Sequence, residues 1–255
     1  MRGGFMKVYP LLVGELEAHE GDVFRGGNPA IKVPFPCYSF YIEGASRPIL
    51  VDTGFGDPEF CKKHLDASEG FILKVAPGMS LKDHLSRLGV GPESIEVIVL
   101  THCHWDHIGA LDLFPNATVY VQRKEISWAV FPQHWMQRSY LPVYARNLTS
   151  LGDRLILQEG DAVIEKGITT KFIGGHSPGC QVVEVEAGKG KVIIVGDLLM
   201  KYSNIEKQIP IGSFHSIEIS DRFLQSLRGQ LMENPDTVVL PGHDQKVWDN
   251  YKNGI

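Results

Sequence analysis

Residues 97–109 read Val97-Ile98-Val99-Leu100-Thr101-His102-Cys103-His104-Trp105-Asp106-His107-Ile108-Gly109. The first four residues are apolar and mostly β-branched, the mark of a short strand buried on both faces. It runs directly into three histidines and an aspartate. In an extended chain His102 and His104 point to the same face, two residues apart. Asp106 and His107 fall where the chain turns into a helix expected to start near Ile108. Packed together without a counter-ion, such groups would repel when protonated and be costly to bury. The cluster therefore reads as metal ligands gathered at a strand end.

The same grammar recurs downstream. His176 follows the strand-like run Ile168–Ile173, Asp197 follows Val192–Val195, and His243 follows Thr237–Leu240. Each time an apolar strand is followed by glycine, which permits close backbone approach, and then by one ligand-type side chain. Further strand-like runs are Lys7–Val13, Cys37–Ile42, Pro48–Val51, Thr118–Gln122 and Gln181–Glu186. Helical stretches interrupt them. Ser80–Leu88 opens with Ser80 and Asp83 in capping-box spacing and stops at Gly89, and Ser220–Glu233 stripes Phe223, Leu224, Leu227 and Leu231 along one face. This mixture predicts a layered α/β domain with its chemistry at strand ends.

No repeat, low-complexity tract or linker divides residues 1–255, so one domain is expected. Glu20–Pro36, rich in Gly and Pro, is expected to be a long loop. Trp128–Tyr144 concentrates aromatic residues around Pro132 and Pro142 without a clean period. It reads as a cap over the core, or as a lid over a substrate pocket in which Trp135 and Tyr140 would face the ligand, or as a homodimer contact.

With 43% hydrophobic and 22% charged residues, the 255-residue chain can bury a large core and is not disordered. A net charge of -5 argues against nucleic acid as partner. No apolar run reaches the ~18 residues that a membrane span needs, and the first fourteen residues do not read as a signal peptide. Cys37, Cys61, Cys103 and Cys180 lie far apart, which suggests neither a disulfide framework nor a zinc knuckle. A cytoplasmic location is expected. Gly175-His176-Ser177-Pro178-Gly179 matches the nucleophile elbow of serine hydrolases, but that device needs an N–H after the serine and a helix next. Pro178 has no N–H, and a strand follows.

The set His102, His104, Asp106, His107, His176, Asp197 and His243 resembles, one for one and in order, the ligand signature of the metallo-β-lactamase-fold hydrolase superfamily. Asp52 in Val51-Asp52-Thr53-Gly54 resembles the family's aspartate-threonine-glycine turn behind the site. The resemblance implies an α/β, four-layer αββα sandwich with two divalent metal ions in a cleft at one edge. By that carry-over His102, His104 and His176 hold one ion, Asp106, His107 and His243 hold the other, and Asp197 bridges them. Imidazole and carboxylate donors without thiolate suit zinc, with iron, manganese or cobalt as alternatives. Two such ions can generate a hydroxide nucleophile at neutral pH, and Asp106 could pass a proton to the departing oxygen. Asp52 is expected to orient histidine ligands by hydrogen bonding.

Within the superfamily the chain most resembles the lactonase group that includes the N-acyl-homoserine lactonases (quorum-quenching enzymes). The expected activity is opening of a small lactone or ester. A thioesterase, phosphodiesterase or dehalogenating hydrolase is the alternative, and a non-catalytic metal-binding sensor the reading outside enzymes. Those lactonases place a tyrosine three residues after the bridging aspartate. Here that position is Met200, and Tyr202 is the nearest tyrosine. If Asp197–Asn204 is extended, Tyr202 shares a face with Met200 and could donate to the substrate carbonyl.

Overall fold

The computed structural model describes residues 5–64, 73–188 and 190–255. Two sheets carry it. The first is built in chain order from β1 (Lys7–His19), β2 (Lys32–Glu43), β3 (Ile49–Val51), β4 (Val97–Val99), β5 (Thr118–Gln122) and β6 (Leu155–Gln158). Its first three strands are antiparallel neighbours and the rest are parallel. The second sheet contains β7 (Ala162–Glu165), β8 (Ile168–Phe172), β9 (Gln181–Ala187), β10 (Gly190–Gly196) and β11 (Val238–Pro241), with only β10 and β11 parallel.

The period-two alternation of each strand explains the layering. Val97 and Val99 of β4 and Val192 and Ile194 of β10 enter one apolar cluster between the sheets. Ile98 points the other way, into a cluster with Leu81 and Leu85 of a helix and Leu148 of another. Ile193 and Val195 likewise leave the interior to meet Leu224 and Leu227. Helix, sheet, sheet, helix is the resulting order, the αββα sandwich.

The helices are α1 (Glu20–Val23), α2 (Pro58–His64), α3 (Leu81–Arg87), α4 (Trp105–Ile108), α5 (Arg123–Val130), α6 (Pro142–Thr149), α7 (Tyr202–Lys207), α8 (Ile217–Glu233) and α9 (Gln245–Tyr251). The capping box at Ser80 and Asp83 opens α3 as expected. Three expectations change. The helix after the histidine motif begins at Trp105, so Asp106 and His107 sit on its first turn. The loop expected over Glu20–Pro36 is shorter, because β1 continues to His19 and pairs with β2 back to Lys32. Pro34 and Pro36 are tolerated in β2 because β3 pairs only with Phe40–Ile42, so the missing N–H groups face an edge with no strand beside it. Finally, β6 and β7 fall in stretches with weak strand patterning.

Candidate metal centre

Five strands end at one place. Asp52 follows β3, the motif follows β4, and His176, Asp197 and His243 follow β8, β10 and β11. All seven expected ligands are buried there. The approach is close: a Cβ on Gly242 would lie 2.7 Å from Asp197 Oδ1, so only glycine lets β11 bring His243 against the aspartate.

Asp197 stands in the middle, and its two oxygens face different partners. Oδ2 lies 3.3 Å from His176 Nε2 and 3.9 Å from His102 Nε2. Oδ1 lies 2.8 Å from His243 Nε2 and 3.2 Å from His107 Nε2. His104 Nδ1 and His176 Nε2 are 3.0 Å apart, two ring nitrogens converging on one point. Asp106 Oδ2 is 3.7 Å from His107 Nε2 and 3.8 Å from His243 Nε2. Three overlapping groups result: His102, His104, His176 and Asp197 form one, His107, His243 and Asp197 a second, and Asp106, His243 and the buried Cys37 a third.

The far sides of the rings are held so that the near nitrogens stay bare. His176 Nδ1 donates to the Ser213 carbonyl at 2.8 Å and His243 Nδ1 to the Pro36 carbonyl at 2.9 Å. A carbonyl only accepts, so each proton is fixed on Nδ1 and the Nε2 lone pair faces Asp197. His107 Nδ1 lies 2.8 Å from Asp52 Oδ2. The Thr101 hydroxyl donates to Asp52 at 2.7 Å and thus accepts from His102 Nδ1 at 3.1 Å. Phe35 stacks on the His243 ring with centroids 3.5 Å apart.

These imidazoles are not alike in charge. Burial first, then neighbouring imidazoles, push His102 and His104 well below the ordinary histidine pKa. Burial also opposes charge on His107, but Asp197, Asp106 and Asp52 outweigh it and raise its pKa. Asp197 is buried as well, yet His243, His107 and His176 hold it well below the carboxylate range.

A pair of divalent cations fits this donor set. The Nε2 atoms of His102 and His107, which face the cluster, are buried with no hydrogen-bond partner, an expensive state that a Lewis acid would relieve. Asp52, Asp106, Glu125 and Asp197 are all buried, while no lysine or arginine is buried among the described residues. The carboxylates of the centre thus have no lysine or arginine beside them to offset their charge.

A family model described as the metallo-beta-lactamase superfamily matches residues 33–243. The chain belongs to the metallo-beta-lactamase superfamily. Among curated proteins it is 28% identical over 245 residues to an N-acyl homoserine lactonase of Bacillus cereus, covering 93% of each chain. It is 30% identical over 269 residues to the N-acyl homoserine lactonase AttM of Rhizobium radiobacter, covering 97% of this chain and 96% of that one. A solved N-acyl homoserine lactone hydrolase, holding N-hexanoyl-L-homoserine at its catalytic metal center, superposes with a TM-score of 0.81. That pair shares 23% identity, with 97% of this chain and 96% of that one covered. The superfamily fold is the sandwich described above.

Two sequence expectations do not survive. Tyr202 is not brought to the cluster. The Asp197–Asn204 segment is not extended throughout, because Asp244 Oδ2 takes the Tyr202 N–H at 2.9 Å and the chain curls into α7. The Tyr202 hydroxyl donates instead to the Val239 carbonyl at 2.8 Å, so the carbonyl-donor role is corrected. Among the described side chains Trp128–Tyr144 presents no aromatic lid to the cleft, and its other reading, a cap over the core, fits. Met136, Tyr140 and Tyr144 join the core, and the segment reaches the cleft through Arg138 and Ser139. The side chain of Trp135 lies outside the described residues. The cleft leaves about 70 Å³ of free space over His104, His176 and Asp197, walled by Leu16, Phe35 and Met200. Sequence reading passed over Glu125, a fully buried carboxyl group behind the cluster. Its place in the first turn of α5 looked like an ordinary helix-start acid.

Proposed function

We propose that the chain is a dinuclear metal-dependent hydrolase, carried by residues 1–255 as one domain, that opens small lactones or related esters. The observation that supports it most is Asp197, with one oxygen toward His102 and His176 and the other toward His107 and His243. His102, His104 and His176 would hold one ion, and Asp106, His107 and His243 the other, with Asp197 shared. Zinc suits these nitrogen and oxygen donors; iron, manganese and cobalt are alternatives. Ions bound there supply Lewis acidity that acidifies a water and polarises a carbonyl oxygen.

The chain's own residues do the rest. Leu16, Phe35 and Met200 give the cleft apolar walls that exclude water and seat the hydrocarbon part of a substrate. Met200 replaces a polar donor with a soft apolar surface at that wall. Asp106 lines the cleft, placed to carry a proton to the departing alcohol. Similarity to lactonases of Bacillus and Rhizobium supports a lactone as substrate. All four cysteines are free and buried, which supports the cytoplasmic reading. Among the described residues no helix is long and apolar enough to cross a membrane.

The test is turnover by the purified, metal-analysed chain on a panel of N-acyl homoserine lactones, other lactones, thioesters and phosphodiesters. Lactone opening that disappears on chelation and returns with metal is expected. Lactone turnover unaffected by metal removal would overturn the reading, and so would metal-dependent turnover of thioesters or phosphodiesters alone.

A further inference from the structure

Glu125 lies on the first turn of α5 and is completely buried, yet its carboxyl group bonds nothing in its own helix. It reaches three other segments. Oε1 accepts the Cys103 N–H at 3.0 Å and the Tyr140 hydroxyl at 2.8 Å. Oε2 accepts the Ser177 hydroxyl at 2.8 Å and the Gly179 N–H at 2.8 Å. Three of these four donors adjoin a ligand, and Gly179 lies in the same loop as His176. Cys103 stands between His102 and His104, the Tyr140 ring packs edge-on against His104 with centroids 4.7 Å apart, and Ser177 follows His176. The loop fits tightly: a Cβ on Gly179 would lie 2.5 Å from the Glu125 nitrogen.

We propose that Glu125 is a positioning residue, a clamp that fixes the His102–His104 turn against the His176 loop and so sets the spacing of three imidazoles for one ion. The inference rests on the metal-centre reading above. Its physical basis is the geometry of the acceptor. A carboxylate offers two oxygens about 2.2 Å apart with lone pairs fanning outward, enough for four donors at once. Here one oxygen serves the motif turn and Tyr140 and the other serves the His176 loop, so the distance between turn and loop is set by a rigid planar group rather than by loop flexibility. The four donors are neutral, and none belongs to a ligand ring. Glu125 therefore acts on where the ligands stand rather than on their protonation. The second ion's histidines, His107 and His243, are held instead by Asp52 and the Pro36 carbonyl.

The amide variant Glu125→Gln keeps the shape and turns one acceptor into a donor facing donors. The full-length chain, loaded with Zn²⁺, would be dialysed against a graded chelator series and its retained metal measured per chain. Wild type should release two ions. In Glu125→Gln one of them should be held about 10–100-fold more weakly, the usual cost of losing a group that orients ligands, while the other stays within about twofold. The Co²⁺-loaded variant should show an altered visible absorption band, which reports ligand geometry and is blind to a loss of stability alone. Should Glu125→Gln not fold, Ser177→Ala removes one donor and keeps the carboxylate, and should weaken the same ion by a smaller factor. The clamp is refuted if Glu125→Gln holds both ions as wild type does, or loses both alike with an unchanged Co²⁺ spectrum; unchanged retention in Ser177→Ala refutes it where the amide variant cannot be made. A wild-type chain that holds no metal would instead overturn the metal-centre reading itself.

Discussion

Asp52 and Glu125 are both carboxyl groups buried behind the ligand cluster, but they reach it differently. Asp52 sits on a turn with φ of 56°, a left-handed conformation that costs a non-glycine residue roughly 1 kcal/mol or more. Its oxygens take the Thr101 N–H, the Thr101 hydroxyl and the Nδ1 of His107. One ligand ring is thus in direct contact with its charge, and His102 is reached through the threonine. Glu125 sits on regular helix, joins three separate segments and bonds no ligand ring. A metal centre can be prepared in two ways: by setting the charge of a ligand, or by setting the distance between ligands.

The largest effect should erase the comparison altogether. Asp197→Ala removes the carboxylate both ligand groups share, and should release at least one ion and lower turnover by more than the ~100-fold that losing an orienting group costs. Elemental analysis beside lactone turnover reads both. One tightly held ion in fully active wild type would sink the two-ion assignment.

Asp52→Asn comes next, since asparagine tolerates the left-handed turn while it removes the charge and turns one acceptor into a donor. Metal affinity or turnover should fall about 10–100-fold. Its distinguishing mark is protonation. In the metal-free chain the raised pKa of His107 contributes stability that is complete below the ordinary value of 6.5 and lost as pH rises through the folded value. His102 and His104, with lowered pKa values, are neutral above 6.5 in folded and unfolded chains alike, so they add no slope there. Thermal melts of metal-free wild type above pH 6.5 should therefore show stability falling with pH. Asp52→Asn should flatten that slope and lower the pKa of His107 in an NMR titration; an unchanged slope would show that Asp52 leaves the ligand's charge alone.

Tyr140→Phe tests the other carboxylate more gently. It leaves Glu125 with three donors and removes one hydrogen bond to a charged acceptor, worth about 1.5–3 kcal/mol. Melting temperature should drop and one ion loosen, with the pH slope of the metal-free chain unchanged. The smallest effect belongs to Tyr202→Phe, which should cost about 1 kcal/mol for a lost neutral hydrogen bond and leave kcat as it was. A fall in kcat of about a hundredfold would restore its carbonyl-donor role.

Asp52 was legible in the sequence and Glu125 was not, for a physical reason. The ligands and Asp52 follow apolar strands whose ends are visible as Val-rich runs stopping at polar residues, so strand ends and candidate ligands could be read together. Glu125 belongs to a helix start, where an acidic side chain is ordinary; only the tertiary approach of Gly179 and Cys103 gives it work. The same limit applies to Tyr202. Alternation along an extended segment put it beside Met200, but a bond from Asp244, 42 residues away, turns the chain into a helix. Sheet layering followed from alternation, as Ile98 against Val97 and Val99 shows. The run of β2 through Pro34 and Pro36 did not, because proline's tolerance there depends on an edge that the short β3 leaves with no strand beside it.

Each candidate ion site draws ligands from both sheets. His102 and His104 follow β4 in one sheet and His176 follows β8 in the other; His107 and His243 divide in the same way between α4 after β4 and β11. Ions held there would act as removable cross-links across the sandwich. A ligand that binds only the folded chain adds about 2.7 kcal/mol of stability at a hundredfold excess over its Kd. The lifetime of the folded chain is then set partly by the free-metal concentration around it, and starvation for metal would open such a chain to proteases as well as silence it.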